Sequence, residues 1–278
     1  MKSIFVAIIF FLFANILLYA QPALHKLWQT DTVLSVPESV LLIKEDRQLY
    51  VSLIGAGNAS AEDENGSIAK LDDKGNILDK AWATGLSSPK GMAKYKNKLY
   101  VADLNAVVVI DFKSGKIINK IVIPDAGMLN DVSLSQQGSI FVSDSKGGKI
   151  YEIVNDQATV YLENLVNPNG VLAAQDILYF LDSGTLYQAD RKKKITKIAD
   201  GMEKSTDGIQ LDGEHFIISC WIGIMYYVSK DGKKATLLDT RAEKTNTADF
   251  DFDHQTRTIY LPTFFKNHVV AYRLEQSN

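Results

Sequence analysis

The feature that most restricts the fold of this chain is a short pattern that occurs six times. Each copy is a tripeptide ending in an apolar residue, followed 9 to 12 residues after its start by the aromatic residue of a strand-like run. The tripeptides start at Glu38, Lys90, Asn130, Asn169, Asp207 and Ala248. Successive starts are 52, 40, 39, 38 and 41 residues apart. A period near 40 residues with several short strands per unit is typical of propeller blades. The sequence therefore predicts an all-β, six-bladed β-propeller with four-stranded blades.

The two ends of the repeat array predict how the ring closes. After the last tripeptide there is room for three strands, and residues 27–36 precede the first blade without a blade of their own. We expect this N-terminal segment to supply the missing fourth strand, which also covers an exposed sheet edge. Two stacked β-sandwich domains are the alternative, which a single regular period without a linker disfavours.

The first 20 residues have the pattern of a signal peptide. Lys2 is followed by a run that is apolar from Ile4 to Tyr19 except for Asn15, and Ala20 offers a small-residue cleavage site. An uncleaved anchor is the alternative, but the run is slightly shorter than the roughly 20 residues of a spanning helix. We expect a leader over residues 1–20, a propeller over residues 21–278, export to the periplasm or secretion, and no stable membrane insertion after cleavage.

Composition excludes several classes of partner and site. The chain has 30 basic and 33 acidic residues, a net charge of −3, so it lacks the basic surface that nucleic-acid binding requires. A single cysteine excludes an intrachain disulfide and a thiolate zinc site. Cys220 is therefore expected to be buried. For the protein as a whole we expect a monomer that acts on a small-molecule substrate.

The repeat geometry brings the six tripeptide starts together. The inner strand of each blade begins beside the central channel, so these side chains should converge at one channel mouth. Four of them carry oxygen donors: Glu38, Asn130, Asn169 and Asp207. Two carboxylates and two amides suit hard cations such as Ca²⁺, Mg²⁺ or Mn²⁺. Alternatively, Asn-Gly and Asp-Gly are ordinary turn dipeptides, because these residues tolerate left-handed backbone conformations.

These residues carry a family resemblance over the whole chain after the leader. The set Glu38, Asn130-Asp131, Asn169-Gly170 and Asp207-Gly208 resembles the regucalcin/gluconolactonase family of six-bladed propellers. The resemblance implies that Glu38, Asn169 and Asp207 hold one divalent cation, with Asn130 beside it as a metal and substrate contact. Ca²⁺ is the first choice, with Mg²⁺, Mn²⁺ and Zn²⁺ as alternatives. It also implies that Asp207 is the general base of a metal-dependent lactonase or esterase.

Three departures from the family pattern support a second hypothesis. Ser39-Val40 stands where the family usually has Gly-Pro, and Met128 where it has a substrate-binding arginine. The segment around Lys90 in blade two resembles the NHL-type repeats that mostly bind partners. The alternative function is therefore a non-catalytic propeller that binds a partner or small ligand and uses any metal structurally.

Other residues near the predicted mouth are further candidates. Asp131, Asp182 and Trp221 are expected to contact substrate, although turn formation is an alternative for Asp182 and for the equivalent Asp103 and Asp144. Residues 55–66 form an acidic insertion that serves either as a lid or as a solvated loop. Residues 249–254 alternate acidic and aromatic side chains, which predicts the inner strand of blade six with some acids facing the channel.

Overall fold

The computed structural model describes residues 22–57 and 60–275. In these ranges the chain forms 24 strands, arranged as six antiparallel sheets of four strands each. The predicted six-bladed propeller is thereby confirmed. The predicted leader lies outside the described residues and stays a prediction. Within the described ranges, no helix has the length and apolar character needed to cross a membrane.

The described residues first form the outer edge of the last blade and then build the blades in order, each from the channel outwards. The first strand is β1 (Ala23–Gln29). Blade one contains β2 (Pro37–Ile43), β3 (Gln48–Leu53), β4 (Gly66–Asp72) and β5 (Ile77–Leu86). Blade two contains β6 (Pro89–Tyr95), β7 (Lys98–Asp103), β8 (Ala106–Asp111) and β9 (Ile117–Val122). Blade three contains β10 (Leu129–Leu134), β11 (Ile140–Asp144), β12 (Lys149–Val154) and β13 (Gln157–Leu162).

The remaining blades repeat this order. Blade four contains β14 (Pro168–Ala174), β15 (Ile177–Asp182), β16 (Thr185–Ala189) and β17 (Ile195–Ala199). Blade five contains β18 (Thr206–Asp212), β19 (His215–Cys220), β20 (Ile224–Ser229) and β21 (Lys234–Asp239). Blade six contains β22 (Asp251–Asp253), β23 (Thr258–Pro262) and β24 (Val269–Glu275), with a 3₁₀ turn, Phe264–Lys266, between the last two.

The N-terminal strand closes the ring. β1 pairs antiparallel with β24, from Ala23 opposite Glu275 to Gln29 opposite Val270, and becomes the fourth strand of blade six. The predicted closure is confirmed, but the strand lies earlier than residues 27–36. Those later residues cross from the outer edge of blade six to the channel, with Leu34 fully buried on the way. The strand must end before this crossing, which explains the difference.

The repeated aromatic residue fills the layer between neighbouring blades. Tyr179 of blade four meets Phe216 of blade five edge to face, with 4.9 Å between ring centroids. Tyr50 packs in the same way among Leu99 and Val101 of blade two. All six aromatics are buried: Tyr50, Tyr100, Phe141, Tyr179, Phe216 and Tyr260. The pattern recurs because each interface needs one large apolar side chain at the same height to exclude water and avoid a cavity.

The glycines of the tripeptides have a packing reason rather than a turn reason. Gly91, Gly170 and Gly208 lie inside the inner strands and are not among the residues with positive φ. A Cβ on Gly91 would lie 2.5 Å from Oδ1 of Asp131, and one on Gly170 would lie 2.2 Å from the carbonyl oxygen of Asp207. The turn-dipeptide interpretation is therefore wrong for these pairs. Glycine is needed because the next blade approaches too closely for a side chain.

Candidate functional site

Five of the six tripeptide starts lie around one cavity at the channel mouth. Each is the second residue of its inner strand, and their side chains line a space of about 330 Å³. The sixth, Ala248, is fully buried beside blade six and is not among the lining residues. We call this space the mouth cavity; its lining is Glu38, Ile54, Lys90, Met128, Asn130, Ser145, Asn167, Asn169, Lys204, Ser205, Thr206, Asp207, Trp221 and Phe264.

A repeated break in strand pairing turns these five side chains towards the channel. In blade four, Pro168 pairs with Asp182, but pairing resumes only at Val171 opposite Phe180. The same register shift follows the first residue of the inner strand in blades one, two, three and five. A bulge lets a strand re-aim a side chain away from the pleated alternation. The convergence predicted from the repeat therefore has a local backbone cause.

Asn169 and Asp207 form the best-defined contact of the site. Nδ2 of Asn169 donates to Oδ1 of Asp207 over 2.9 Å, which leaves the amide oxygen of Asn169 for another partner. On the next blade, Nδ2 of Asn130 donates to the hydroxyl of Ser145 over 3.1 Å. That hydroxyl in turn donates to the carbonyl of Pro168 over 2.8 Å. Ser145 therefore contacts both the side-chain amide of Asn130 and the backbone of the residue before Asn169.

Two buried oxygens of the mouth cavity have no hydrogen-bond donor. They are Oε2 of Glu38 and Oδ1 of Asn169, and Glu38 is only 4% exposed. Among the described residues, three buried side-chain polar atoms lack a partner, and the third is the hydroxyl of Tyr151. A buried acceptor without a donor costs about 1–3 kcal/mol. The mouth cavity therefore has two acceptor oxygens that could receive a proton donor or a cation.

The carboxyl groups of the mouth hold protons more tightly than usual. Burial, followed by the negative charge of Asp207, raises the pKa of Glu38 well above its ordinary value, while Lys90 opposes the shift. Burial and then the charge of Asp249 raise the pKa of Asp207, and the hydrogen bond from Asn169 partly offsets this. A positive charge in the cavity would stabilise the ionised forms of these two carboxyl groups, which burial and mutual repulsion otherwise disfavour.

Lys90 places one positive charge among these oxygens. It is 5% exposed, and its Nζ donates to the carbonyl oxygen of Ser88 over 3.2 Å and to the hydroxyl over 2.6 Å. Burial lowers its pKa, while the charges of Glu38, Asp103 and Asp207 oppose that shift. The repeat predicted that Lys90 lies at the mouth, and the structure confirms this position. Its hydrogen bonds to Ser88 were not predicted.

The donor set of the mouth fits a hard cation better than a soft one. Among the described residues there is no group of three or more His, Cys, Asp or Glu side chains placed to hold a metal ion. The candidate set instead combines two carboxylates with amide oxygens, and two of its oxygens are unpartnered. The residues thus fit an oxygen-seeking cation, and both the binding of a metal and its identity stay predictions.

Trp221 lies where the sequence places it, beside aromatic neighbours that sequence analysis missed. Its ring lines the mouth cavity and meets the ring of Phe264 edge to face, 5.4 Å between centroids. Phe265 lies 5.9 Å from Trp221 and 4.7 Å from Phe264. The signal in the sequence was the Phe264-Phe265 pair shortly after β23, at the end of the strand that leads to the mouth.

Asp182 has a structural role instead of the predicted substrate contact. Its two carboxylate oxygens accept hydrogen bonds from the backbone amides of Val166 and Asn167, over 3.1 and 2.7 Å. Asp103 and Asp144 bind the corresponding amides of blades two and three. These carboxylates fix the loop that enters each inner strand, so the turn alternative describes them correctly.

Asp131 also differs from the prediction that it contacts substrate. Its oxygens accept from the backbone amides of Val132 and Val171, each over 2.7 Å, which ties blade three to blade four. It lines a separate space of about 230 Å³ deeper in the channel. We call this space the interior cavity; Asp131, Asp249, Asp251 and Lys94 are its charged lining residues. The predicted channel-facing acids of blade six are thus confirmed for Asp249 and Asp251.

The acidic insertion of blade one packs against blade two. The amide of Glu64 donates to the hydroxyl of Ser87 over 3.3 Å, and residues 62–64 line a groove with Asp103. None of the described residues of the insertion lines the mouth cavity, although Ile54, directly before it, does. Residues 58 and 59 lie outside the described ranges. The lid interpretation therefore gains no support.

Cys220 is fully buried, as expected.

Comparisons with known proteins bear on the fold. No family model and no curated protein matches the sequence. Solved structures that match include a gluconolactonase from Xanthomonas campestris, with a TM-score of 0.66, 14% identity and coverage of 88% of each chain. A luciferin-regenerating enzyme matches with a TM-score of 0.61 and 14% identity over 92% of this chain and 97% of that one.

A third match has a different activity. It is a catalytically inactive virginiamycin B lyase from Staphylococcus aureus, solved with quinupristin. Its TM-score is 0.66 at 14% identity, over 92% of this chain and 100% of that one. The gluconolactonase and the lyase are thus equally similar to this chain in TM-score and identity. At the level of fold, the resemblance expected from the sequence is confirmed: this chain shares the six-bladed propeller of gluconolactonase and luciferin-regenerating enzyme.

Proposed function

We propose that this protein is a divalent-cation-dependent hydrolase of a lactone or related ester, exported to the periplasm or secreted. The observation that carries the proposal is the pair of unpartnered oxygens on Glu38 and Asn169 in the cavity that Asp207 also lines. An oxygen-lined, partly apolar cavity of this size suits a small molecule. The gluconolactonase among the matching structures supports the same class of activity.

Four residues would hold the cation, with Ca²⁺ as the first choice. Glu38 and Asn169 would contribute their unpartnered oxygens, Asp207 its carboxylate and Asn130 its amide oxygen. When bound, such a cation supplies Lewis-acid polarisation of a carbonyl and stabilises the charge that develops on its oxygen.

Asp207 is the proposed general base. Its raised pKa brings a carboxylate closer to the range where it can take a proton from an attacking water molecule. The 2.9 Å hydrogen bond from Asn169 fixes the position of Oδ1. The ammonium of Lys90 adds positive charge to the same cavity, which favours negative charge on a substrate oxygen.

The test is a panel of lactones and aryl esters assayed with Ca²⁺, with Mg²⁺ and with a chelator. We expect hydrolysis that the chelator abolishes and Ca²⁺ restores, and its loss in Glu38→Gln with the circular dichroism spectrum unchanged. Hydrolysis that is insensitive to the chelator would contradict the role of the cation.

A non-catalytic binding propeller is the second candidate function. Lys90 inside the ring and Met128 at its edge favour it, because a fixed ammonium weakens a cation site and a methionine offers no hydrogen bonds to a sugar lactone. Cation binding measured by isothermal titration calorimetry, without turnover on any member of the panel, would favour this function over the hydrolase.

A further inference from the structure

The mouth cavity has two chemically different parts. Its charged and amide side chains on Glu38, Lys90, Asn130, Asn169 and Asp207 come from the inner strands. Its large apolar side chains come from residues that precede or follow strands on the mouth side: Ile54, Met128, Trp221 and Phe264. A ligand that reaches the polar part must therefore pass along an apolar wall.

The aromatic wall is held in place before any ligand arrives. The amide of Trp221 donates to the carbonyl of Ser205 over 2.7 Å, and the carbonyl of Trp221 accepts from Nδ2 of Asn246 over 2.8 Å. Phe264 has a φ of +50°, a conformation that bulky residues rarely adopt. Asn267 ends the turn that carries Phe264, and its side chain accepts from the amide of Val36 over 3.0 Å. These bonds fix the backbone that carries the two rings, and the rings pack edge to face against each other, which reduces the rotamer entropy lost on binding.

The apolar surface continues outside the cavity. Val166, Ile222 and Phe265 are 77%, 45% and 63% exposed, and each is adjacent in sequence to a residue that lines the cavity. Three large apolar side chains in water around one opening are costly unless something covers them. Exposed apolar patches beside a concave site commonly mark where a ligand binds.

The hydroxyl groups of the lining are already used by the protein. Ser145 donates to the carbonyl of Pro168 and accepts from Asn130. Ser205 accepts from the amide of Ile222, and Thr206 accepts from the amide of Gly184. A polyhydroxylated sugar lactone needs several free donors and acceptors to replace its bonds to water. Each of these hydroxyls already has a protein partner, and Ser145 has no donor left, so the set available to a sugar is small.

We propose that the mouth cavity binds lactones or esters with a hydrophobic substituent, which lies against Trp221, Phe264 and Met128 while the carbonyl group points to the ring of Glu38, Asn169 and Asp207. This inference rests on the proposed hydrolase function and specifies its substrate class. Sugar lactones are correspondingly poor substrates.

The experiment compares three six-membered lactones: δ-valerolactone, δ-decalactone with its pentyl substituent, and glucono-δ-lactone. We expect kcat/KM for δ-decalactone to exceed that for δ-valerolactone by at least about tenfold, since each buried methylene is worth roughly fourfold in affinity. Trp221→Ala should remove this preference, and Trp221→Phe should restore most of it. Ile118→Ala, an exposed apolar side chain on β9, is the matched control and should retain the preference.

Binding of the same lactones is also measured by saturation-transfer difference NMR, which does not depend on turnover. Preferred hydrolysis of glucono-δ-lactone would overturn the substrate class and leave the hydrolase intact. Trp221-dependent binding of δ-decalactone without hydrolysis would support the apolar wall and overturn the hydrolase. Absence of both binding and hydrolysis of δ-decalactone would overturn the inference.

Discussion

Both cavities of the channel contain buried carboxyl groups, but the two cavities differ in whether the buried oxygens have hydrogen-bond donors. In the interior cavity the carboxylates have donors: Asp131 accepts from two backbone amides, Asp251 accepts from the amides of Leu42 and Phe252, and Asp249 accepts from the hydroxyl of Ser39. In the mouth cavity Glu38 and Asn169 each keep a buried oxygen without a donor.

This difference separates acids that hold the ring together from acids that are available to a ligand. Asp131 joins blade three to blade four, and Asp251 joins blade six to blade one. Each therefore contributes to the propeller itself. The unpartnered oxygens of Glu38 and Asn169 stabilise little, because burial without a donor costs free energy, and retaining such groups is typical of functional sites. Burial and charge alone would not have distinguished the two sets; the hydrogen-bond partners do.

The largest expected effect is on catalysis at the mouth. Asp207→Asn removes the proposed base and keeps the size of the side chain, so kcat/KM for lactone hydrolysis should fall by at least about 100-fold. Asp131→Asn, the matched change in the interior cavity, should leave kcat/KM within a few-fold. Equal losses in the two variants would show that the distinction between the cavities is not functional.

The next prediction concerns the free energy of unfolding, which should fall more for a change in the interior cavity than for a change at the mouth. Asp131→Ala leaves the amides of Val132 and Val171 without their acceptor, so the free energy of unfolding should drop by about 1–3 kcal/mol. Glu38→Gln, measured with a chelator present, should lower it little or raise it, because a buried carboxylate without a partner is removed. Urea unfolding followed by circular dichroism measures both. A larger loss in Glu38→Gln would reverse the comparison.

A third prediction concerns the two lysines of β6. Lys90 lies in the ring of oxygens, whereas Lys94 lines the interior cavity, with its Nζ 4.9 Å from the ring centroid of Phe112. Lys90→Gln removes a positive charge beside the proposed cation, so Ca²⁺ affinity should rise by at least about tenfold. Lys94→Gln should change it much less. Calorimetric titration decides, and unchanged affinity in Lys90→Gln would place the cation elsewhere.

The last prediction is a pH dependence of stability from the interior cavity. Burial raises the pKa of Asp249 from 3.8 to about 7, so the folded protein holds this proton more tightly than the unfolded chain. Asp249 thus contributes most to stability at acidic pH, and its contribution is lost as pH rises from about 4 to 7. Asp249→Asn should flatten the stability profile in that window, measured with a chelator present. An unchanged profile would contradict the raised pKa.

Much of the fold and part of the site could be predicted because repeats make equivalent positions visible. Glu38, Asn130, Asn169 and Asp207 are far apart in the chain, yet their shared place in the repeat predicted their meeting. The role of Asp131 could not be predicted in the same way, whereas the turn role of Asp182 was already one of the two alternatives. The hydrogen bond that Asp131 accepts from the amide of Val171 joins residues 40 positions apart, and it depends on how closely two blades approach.

The amino-acid sequence by itself determined the number of blades, the ring closure and the five inner-strand residues at the channel mouth, because a 40-residue hydrophobic repeat permits few other ways to bury its aromatic residues. Only the tertiary structure decided which acids have backbone donors, which partners Lys90 has and how Trp221 and Phe264 form a wall. These properties depend on the distance between neighbouring blades, and no periodicity along the chain encodes that distance.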